Sequence, residues 1–349
     1  MTATPERWEG RRRHPLEQMS ENEIDRDRPR RGDADHPDLS RHHEATAFMS
    51  RTTANLLILV GAAIWGAAFV PQQTAMRSLS PMWFVALRFL LSMVVTAPLL
   101  WVEQARSPER LSRRSWGLVA AVSGVFLGAS LLQQYSLLTT SVTNSGFLTS
   151  LYILFTPFVA MMLTHERPGF GVWPAAGLGL IGAWLLAGGG DIGSVLVIGD
   201  LLVTGAAVLW AVQIVLIGMA MRHFNRPLLL VMAQYSMIAV VAGAWAIVHD
   251  PISWEQIRAA APQILYAGVI SGGVGYTLQA LAQRHTRASD AAIIFSAEAP
   301  FAALFGVWLL GDRLTGGQWA GTAAIFAAVV AVQLWPGRPV GVDGHRAGE

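Results

Sequence analysis

Ten times between residues 54 and 335 the chain runs apolar for about twenty residues and then breaks on a few polar ones. The runs are 54–71, 81–101, 115–137, 143–164, 170–188, 195–220, 227–248, 259–282, 288–310 and 317–335. A hydrocarbon core about 30 Å thick needs roughly 20 helical residues to cross it, so each run has the length of one crossing. Barrel strands would show apolar and polar residues in alternation, and these runs do not. Backbone N–H and C=O groups in lipid must be satisfied within the segment, which a helix achieves by itself. The pattern predicts an all-α integral membrane protein with ten transmembrane helices.

The charge distribution agrees. Only 14% of the chain is charged, against about a quarter for an ordinary soluble domain. Residues 1–51 alone hold 10 Arg and 11 Asp or Glu, the composition of a disordered, mixed-charge cytoplasmic tail. A second reading puts the true start of translation at Met49. The segment has no apolar stretch ahead of a small-residue cleavage site, so it is not a secretory signal. Its acids cancel its Arg, which argues against nucleic acid as a partner. With no Cys, no His-Glu-x-x-His and no Gly-x-Ser-x-Gly, the chain carries no enzyme motif, and neither a cofactor nor a metal is expected. The nine His fall in tails, loops and helix ends, so a His relay through the membrane is not expected.

Orientation follows from Arg in the short loops. With the N-terminus cytoplasmic, the inner loops hold Arg106, Arg110, Arg113, Arg114, Arg167, Arg222, Arg226, Arg284 and Arg287, with Arg338 in the tail. The outer loops then hold Arg77, Arg258 and Arg313. Both termini are expected on the cytoplasmic side.

The chain also matches itself at an offset of 145–146 residues. Trp65-Gly66 falls on Trp210-Ala211, Leu132-Gln133 on Leu278-Gln279, and Thr140 on Thr286. Thr143-Asn144 falls on Ser289-Asp290, Glu166-Arg167 on Asp312-Arg313, and Gly171-Val172-Trp173 on Gly317-Gln318-Trp319. The expected organisation is therefore a tail (1–51), a first five-helix repeat (52–190), a second (195–335) and a short cytoplasmic tail (336–349). Five is odd, so the second repeat enters the membrane upside down relative to the first. Two similar halves of opposite orientation can exchange conformations and open a central site to either side in turn.

Charge inside the bilayer costs about 2.5–3.5 kcal/mol on insertion scales. Two charges lie well inside the runs: Arg88 in the second and Glu298 in the ninth. Glu298 is a candidate proton carrier or substrate contact, with protons as a candidate coupling ion. Arg88 has either Glu298 or Asp200 as a candidate partner, or serves as a structural residue. Gln133, Gln134, Asn144, Gln213, Gln234 and Gln279 read as cavity residues or as interhelical hydrogen-bonding residues. Gln133 and Gln279 stand out because the repeat superposes them, as it does Trp65 and Trp210, whose rings could stack on a substrate. Pro157 and Pro300 are expected to interrupt the fourth and ninth helices. Pro300, two residues from Glu298, brings a helix break and a buried charge together. The Gly124/Gly128, Gly268/Gly272 and Gly317/Gly321 spacings read as close helix packing.

These residues resemble the drug/metabolite transporter superfamily, and within it the EamA-type ten-helix transporters, over roughly residues 52–335. The matching pieces include Trp65-Gly66-Ala67-Ala68-Phe69, Arg88-Phe89, Thr143-Asn144-Ser145-Gly146-Phe147-Leu148, Glu166-Arg167-Pro168, Gly199-Asp200, Glu298-Ala299-Pro300-Phe301-Ala302 and Gly311-Asp312-Arg313. The family usually has Glu-Pro adjacent and Gly-Glu-Arg, where this chain has Glu-Ala-Pro and Gly-Asp-Arg. The resemblance implies secondary export of small metabolites, often amino acids or related compounds, from a bacterial inner membrane. Relatives carrying nucleotide sugars or sugar phosphates are an alternative, weakened by a lone buried cation and no Lys. A non-transporting membrane scaffold is another, weakened by the absence of large soluble loops. The sequence carries no signal for an oligomeric state.

Overall fold

Helix ends and glycines set how the spans pack. A computed structural model describes residues 49–107, 110–140, 142–165, 168–187, 198–310 and 313–334. Both tails (1–48 and 335–349, with Arg338) lie outside the described residues, as do Glu166-Arg167, Gly311-Asp312 and the side chains of Thr143 and Asn144. Among the described residues the secondary structure is helical throughout. In chain order the spans are α1 (Arg51–Ala75), α2 (Pro81–Arg106), α3 (Arg113–Ser136), α4 (Ser145–Thr164), α5 (Val172–Leu186), α6 (Ile198–His223), α7 (Pro227–His249), α8 (Ala261–Ala282), α9 (Ala288–Leu309) and α10 (Gly316–Leu334). Eight of the ten have 20–26 residues and are apolar enough to cross a membrane; α5 and α10 are shorter apolar helices. At about 1.5 Å per residue, the eight reach or exceed a 30 Å hydrocarbon core. Trp101, Met162, Phe170, Ile247, Val248 and Trp308 stand exposed on the outer surface, as lipid-facing residues would.

Serine starts the first three helices. Ser50, Ser80 and Ser112 each accept a hydrogen bond at 3.0–3.3 Å from the N–H three residues on, filling one of the helix's orphan donors. The start of α7 is capped by a different helix: the Glu103 carboxylate of α2 accepts from the N–H groups of Leu228 and Leu229 at 2.9 and 3.1 Å. At the other end of this pair, Ser80 donates to Asp250 at 2.6 Å. So α2 and α7 are tied to each other at both ends.

The helix partners obey a two-fold exchange of each helix with the one five further on. α2 packs along α7 and α5 along α10, each with its own repeat mate. α3 packs on α6 as α8 packs on α1, and α4 packs on α6 as α9 packs on α1. Individual bonds repeat as well. Thr140 donates to Asp200 at 3.0 Å, and its mate Thr286 donates to Asn55, the mate of Asp200, at 2.9 Å. With five crossings per half the two halves run in opposite directions, the inverted-repeat architecture expected from the sequence.

Of the three glycine spacings, Gly268/Gly272 packs closely at both positions and the other two at one position each. A Cβ on Gly268 would lie 2.8 Å from the Arg88 carbonyl, and one on Gly272 would collide with Ser92, so α8 lies directly on α2. A Cβ on Gly321 would meet the Gly182 carbonyl at 2.5 Å, and one on Gly182 the Gly321 carbonyl at 2.8 Å. There α5 and α10 touch backbone to backbone. Gly124 faces open space and a Cβ on Gly317 would meet only Thr315 Oγ1 at 3.9 Å, but one on Gly128 would stand 3.0 Å from Leu209 Cδ1, where α3 lies on α6.

Candidate functional site

α4 and α9 are both broken halfway, at repeat-related positions. In α4 the helical pieces Val142–Thr149 and Tyr152–Thr164 are separated by Ser150-Leu151; in α9 Ala288–Phe295 and Glu298–Phe305 are separated by Ser296-Ala297. At each break a serine turns back onto the preceding turn: Ser150 Oγ donates to the Gly146 carbonyl at 2.9 Å and Ser296 Oγ to the Ile293 carbonyl at 2.6 Å. Pro300 accounts for the break in α9, because its ring excludes helical continuation past the carbonyl four residues earlier. Pro157 does not account for the break in α4. It sits inside the second piece, and the chain breaks six residues before it.

Each second piece begins with a polar side chain at the molecule's centre: Tyr152 in α4 and Glu298 in α9. These two are repeat mates, 146 positions apart, and Tyr152 Oη donates to Glu298 Oε1 at 3.1 Å. Exchange of the halves maps this bond onto itself, so it marks the pseudo-two-fold axis. The first turn of a helix also favours a carboxylate.

Around this bond lies a cavity of about 50 Å³. Of the residues singled out from the sequence, Trp65, Arg88, Gln133, Trp210, Gln279 and Glu298 all line it, and Gln213 joins them. Pro300 does not line it and acts through the backbone. Gln134 and Gln234 lie outside it; Gln234 accepts from Gln213 at 3.2 Å. Arg88 pairs with neither expected carboxylate. Its Nη1 donates to Gln72 Oε1 at 2.8 Å, its guanidinium lies 4.4 Å from the Phe89 ring centroid, and its Nε has no acceptor among the described residues. Asp200 accepts from Thr140 at the start of α6.

Sequence reasoning missed Gln72, Tyr152 and Tyr276. Tyr276 lies between the two tryptophans, its centroid 4.7 Å from that of Trp65 and 6.3 Å from that of Trp210. The repeat held the signal for Tyr152, since it aligns with Glu298. No pattern in the chain marks the other two. At about 10–15 Å³ per water-sized probe, the cavity has room for roughly three to five waters.

Two further crevices flank this centre and share repeat-related positions. At the end where α1 finishes, a crevice of about 420 Å³ is lined by Val70, Val142, Gly306 and Leu314, among others. At the opposite end a pocket of about 10 Å³ is lined by Val215, Ala288, Ala160 and Pro168. Taken in order, each residue of the second set lies 145 or 146 positions from its counterpart in the first. The two crevices thus overlap at four repeat-related positions, with the larger at one end of the spans and the smaller at the other. At the end of the smaller crevice Arg51 of α1 forms an ion pair with Asp290 of α9 at 2.8 Å.

Comparisons with known proteins agree with this architecture. The family model described as "EamA-like transporter family" matches twice, over residues 52–188 and 197–334. An "Uncharacterized transporter" of Archaeoglobus fulgidus is 29% identical over 289 residues, covering 82% of this chain and 87% of its own. "Uncharacterized transporter YwfM" of Bacillus subtilis is 28% identical over 291 residues, covering 81% and 94%. A solved crystal structure, 17% identical, shares the fold with a TM-score of 0.67 over 82% of this chain and 98% of its own. With ten apolar helices in two matched halves, the chain is a multi-pass membrane protein and belongs to the EamA-like transporter family of the drug/metabolite transporter superfamily.

Proposed function

We propose that the protein is a secondary transporter that exports small metabolites, such as amino acids or related compounds, by alternating access. The observation that carries this reading is the crevice pair. The crevices that share repeat-related positions measure about 420 Å³ at one end and about 10 Å³ at the other, the asymmetry of a carrier exposed to one side. Exchange of the halves would close the first and open the second.

The central cavity supports a zwitterionic cargo. Arg88 keeps a buried N–H without an acceptor, which a substrate carboxylate would satisfy, and Glu298 would receive an ammonium group or a proton. Trp65, Tyr276 and Trp210 supply aromatic faces for the rest. Carriers of multiply charged phosphates would need several buried cations, and Arg88 is the one cation that lines this cavity. The loop distribution of Arg supports a bacterial inner-membrane location with both termini cytoplasmic.

The test is flux. In proteoliposomes the protein should move amino-acid-like zwitterions saturably, and cells lacking or overproducing it should differ in internal and external metabolites. Glu298→Gln should abolish dependence on a proton gradient; unchanged gradient-driven flux would remove the proton role. No saturable movement of any metabolite would favour a scaffold.

A further inference from the structure

The cavity's hydrogen bonds break the symmetry that its helices keep. Trp65 and Trp210 are repeat mates, and so are Gln133 and Gln279; all four line the cavity. On one side Trp210 Nε1 donates to Gln133 Oε1 at 2.9 Å and ties α6 to α3. The mate of that bond, from Trp65 to Gln279, is not made. Trp65 Nε1 instead reaches the Ser271 carbonyl at 3.3 Å. Gln279 gives its amide N–H to Gln213 Oε1 at 3.2 Å, and its own Oε1 is buried with no donor among the described residues. A buried acceptor without a donor is a cost that folded structures rarely carry without reason.

Helix winding accounts for the difference. α3 is α-helical from Arg113 to Ser136, through Gln133. Its mate α8 is wound in wide i→i+5 turns from Tyr266 to Tyr276, immediately before Gln279. At 3.6 residues per α-turn, each extra residue taken up by a wide turn re-aims the side chains beyond it by about 100°. Gln279 therefore points elsewhere than Gln133 does in its own half. The glycine-rich run Ser271–Gly275 lies inside the wide turns, and it gives the segment little side-chain bulk to hold either winding.

In an inverted repeat the opposite-facing state is reached when the halves exchange conformations. Applied here, α8 takes up the winding of α3 and Gln279 Oε1 meets Trp65 Nε1, while α3 and α6 release theirs. We propose that Trp210–Gln133 and Trp65–Gln279 are alternative latches, the first closed when the crevice at the α1 C-terminal end is wide, the second closed in the opposite-facing state. The proposal rests on the alternating-access reading of the same site.

The chain contains no cysteine, so one introduced cysteine reports without background. Gly146 lines the wide crevice, where a Cβ meets nothing within 4 Å, and Ala288 lines its closed mate. Gly146→Cys and Ala288→Cys are each combined with latch variants, and initial rates of maleimide labelling are read on the reconstituted full chain without substrate. Gln133→Leu should slow labelling at the Gly146→Cys site and speed it at the Ala288→Cys site. Gln279→Leu should slow it at the Ala288→Cys site. The ratio of the two rates should change between about twofold and tenfold, the worth of one hydrogen bond. Trp210→Phe keeps an aromatic ring, though a smaller one, and deletes the donor of the first latch. It should reproduce the Gln133→Leu shift. Ratios that move in the same direction for both latches, or that do not move, overturn the proposal. Because labelling needs no cargo, a protein that moved no metabolite would still show opposed shifts if the latches exist. Intact flux with unshifted labelling would remove the latches alone.

Discussion

Replacing Gly66 by alanine tests a backbone-close contact between the halves at the site. A Cβ there would stand 2.5 Å from the Glu298 carbonyl oxygen, 2.7 Å from Phe301 Cβ and 2.8 Å from the Ala302 nitrogen. Two of those three atoms are backbone and cannot swing away. Ordinary van der Waals contact begins at 3.4 Å, so α1 and α9 must part by up to about 0.9 Å beside the Tyr152–Glu298 bond. Overpacking of this kind costs about 1–3 kcal/mol. Alanine returns about 0.5–1 kcal/mol by its better helix propensity, leaving a net loss of about 1–2 kcal/mol. Gly124→Ala on α3 is the control, since its Cβ meets nothing within 4 Å and only the propensity gain applies. Thermal unfolding of the purified variants should place Gly66→Ala below the parent and Gly124→Ala level with it or above, with transport lowered in the first alone. If Gly66→Ala melts as high as Gly124→Ala, the backbone-close crossing of α1 on α9 is wrong.

Three other outcomes are expected. Asp290→Asn deletes the ion pair to Arg51, which joins an Asp side chain 1% exposed to an Arg side chain 34% exposed. The loss should be about 1–3 kcal/mol, below the range for a fully buried pair, and labelling at an Ala288→Cys site should accelerate. Glu103→Ala removes the carboxylate that receives two N–H groups at the start of α7 and should cost about 1–2 kcal/mol of stability, with Glu103→Gln nearer the parent in the same melt. Tyr152→Phe removes the donor to Glu298 while keeping the ring. It should lower substrate affinity or the proton dependence of flux while shifting stability by only about 1 kcal/mol; unchanged kinetics would detach the axis bond from transport.

Much of the architecture was legible because lipid imposes it. Spans, helix count and the opposite orientation of the halves follow from run length and from five being odd. The central residues were legible through two independent signals: buried charge pointed to Arg88 and Glu298, and the repeat pointed to Trp65, Trp210, Gln133 and Gln279. What escaped depends on reach between helices. The partner of Arg88 is Gln72 of α1, a neutral side chain that no charge argument selects. Pro157 looked like the origin of the break in α4, yet the chain breaks at Ser150-Leu151, where a serine shared with the other half bonds back onto the helix. The wide turns of α8 left only the faint trace of the glycine run.

The glycine contact between α5 and α10 has a mechanical meaning. Where Gly182 and Gly321 face one another, no layer of side chains lies between the two backbones to act as a bearing. Sliding there would drive carbonyl oxygen into main chain at once. On the proposed alternating-access cycle the two helices would travel as one rigid spar, about which the rest would turn. Engineering that stiffens the transporter without stalling it belongs on that spar.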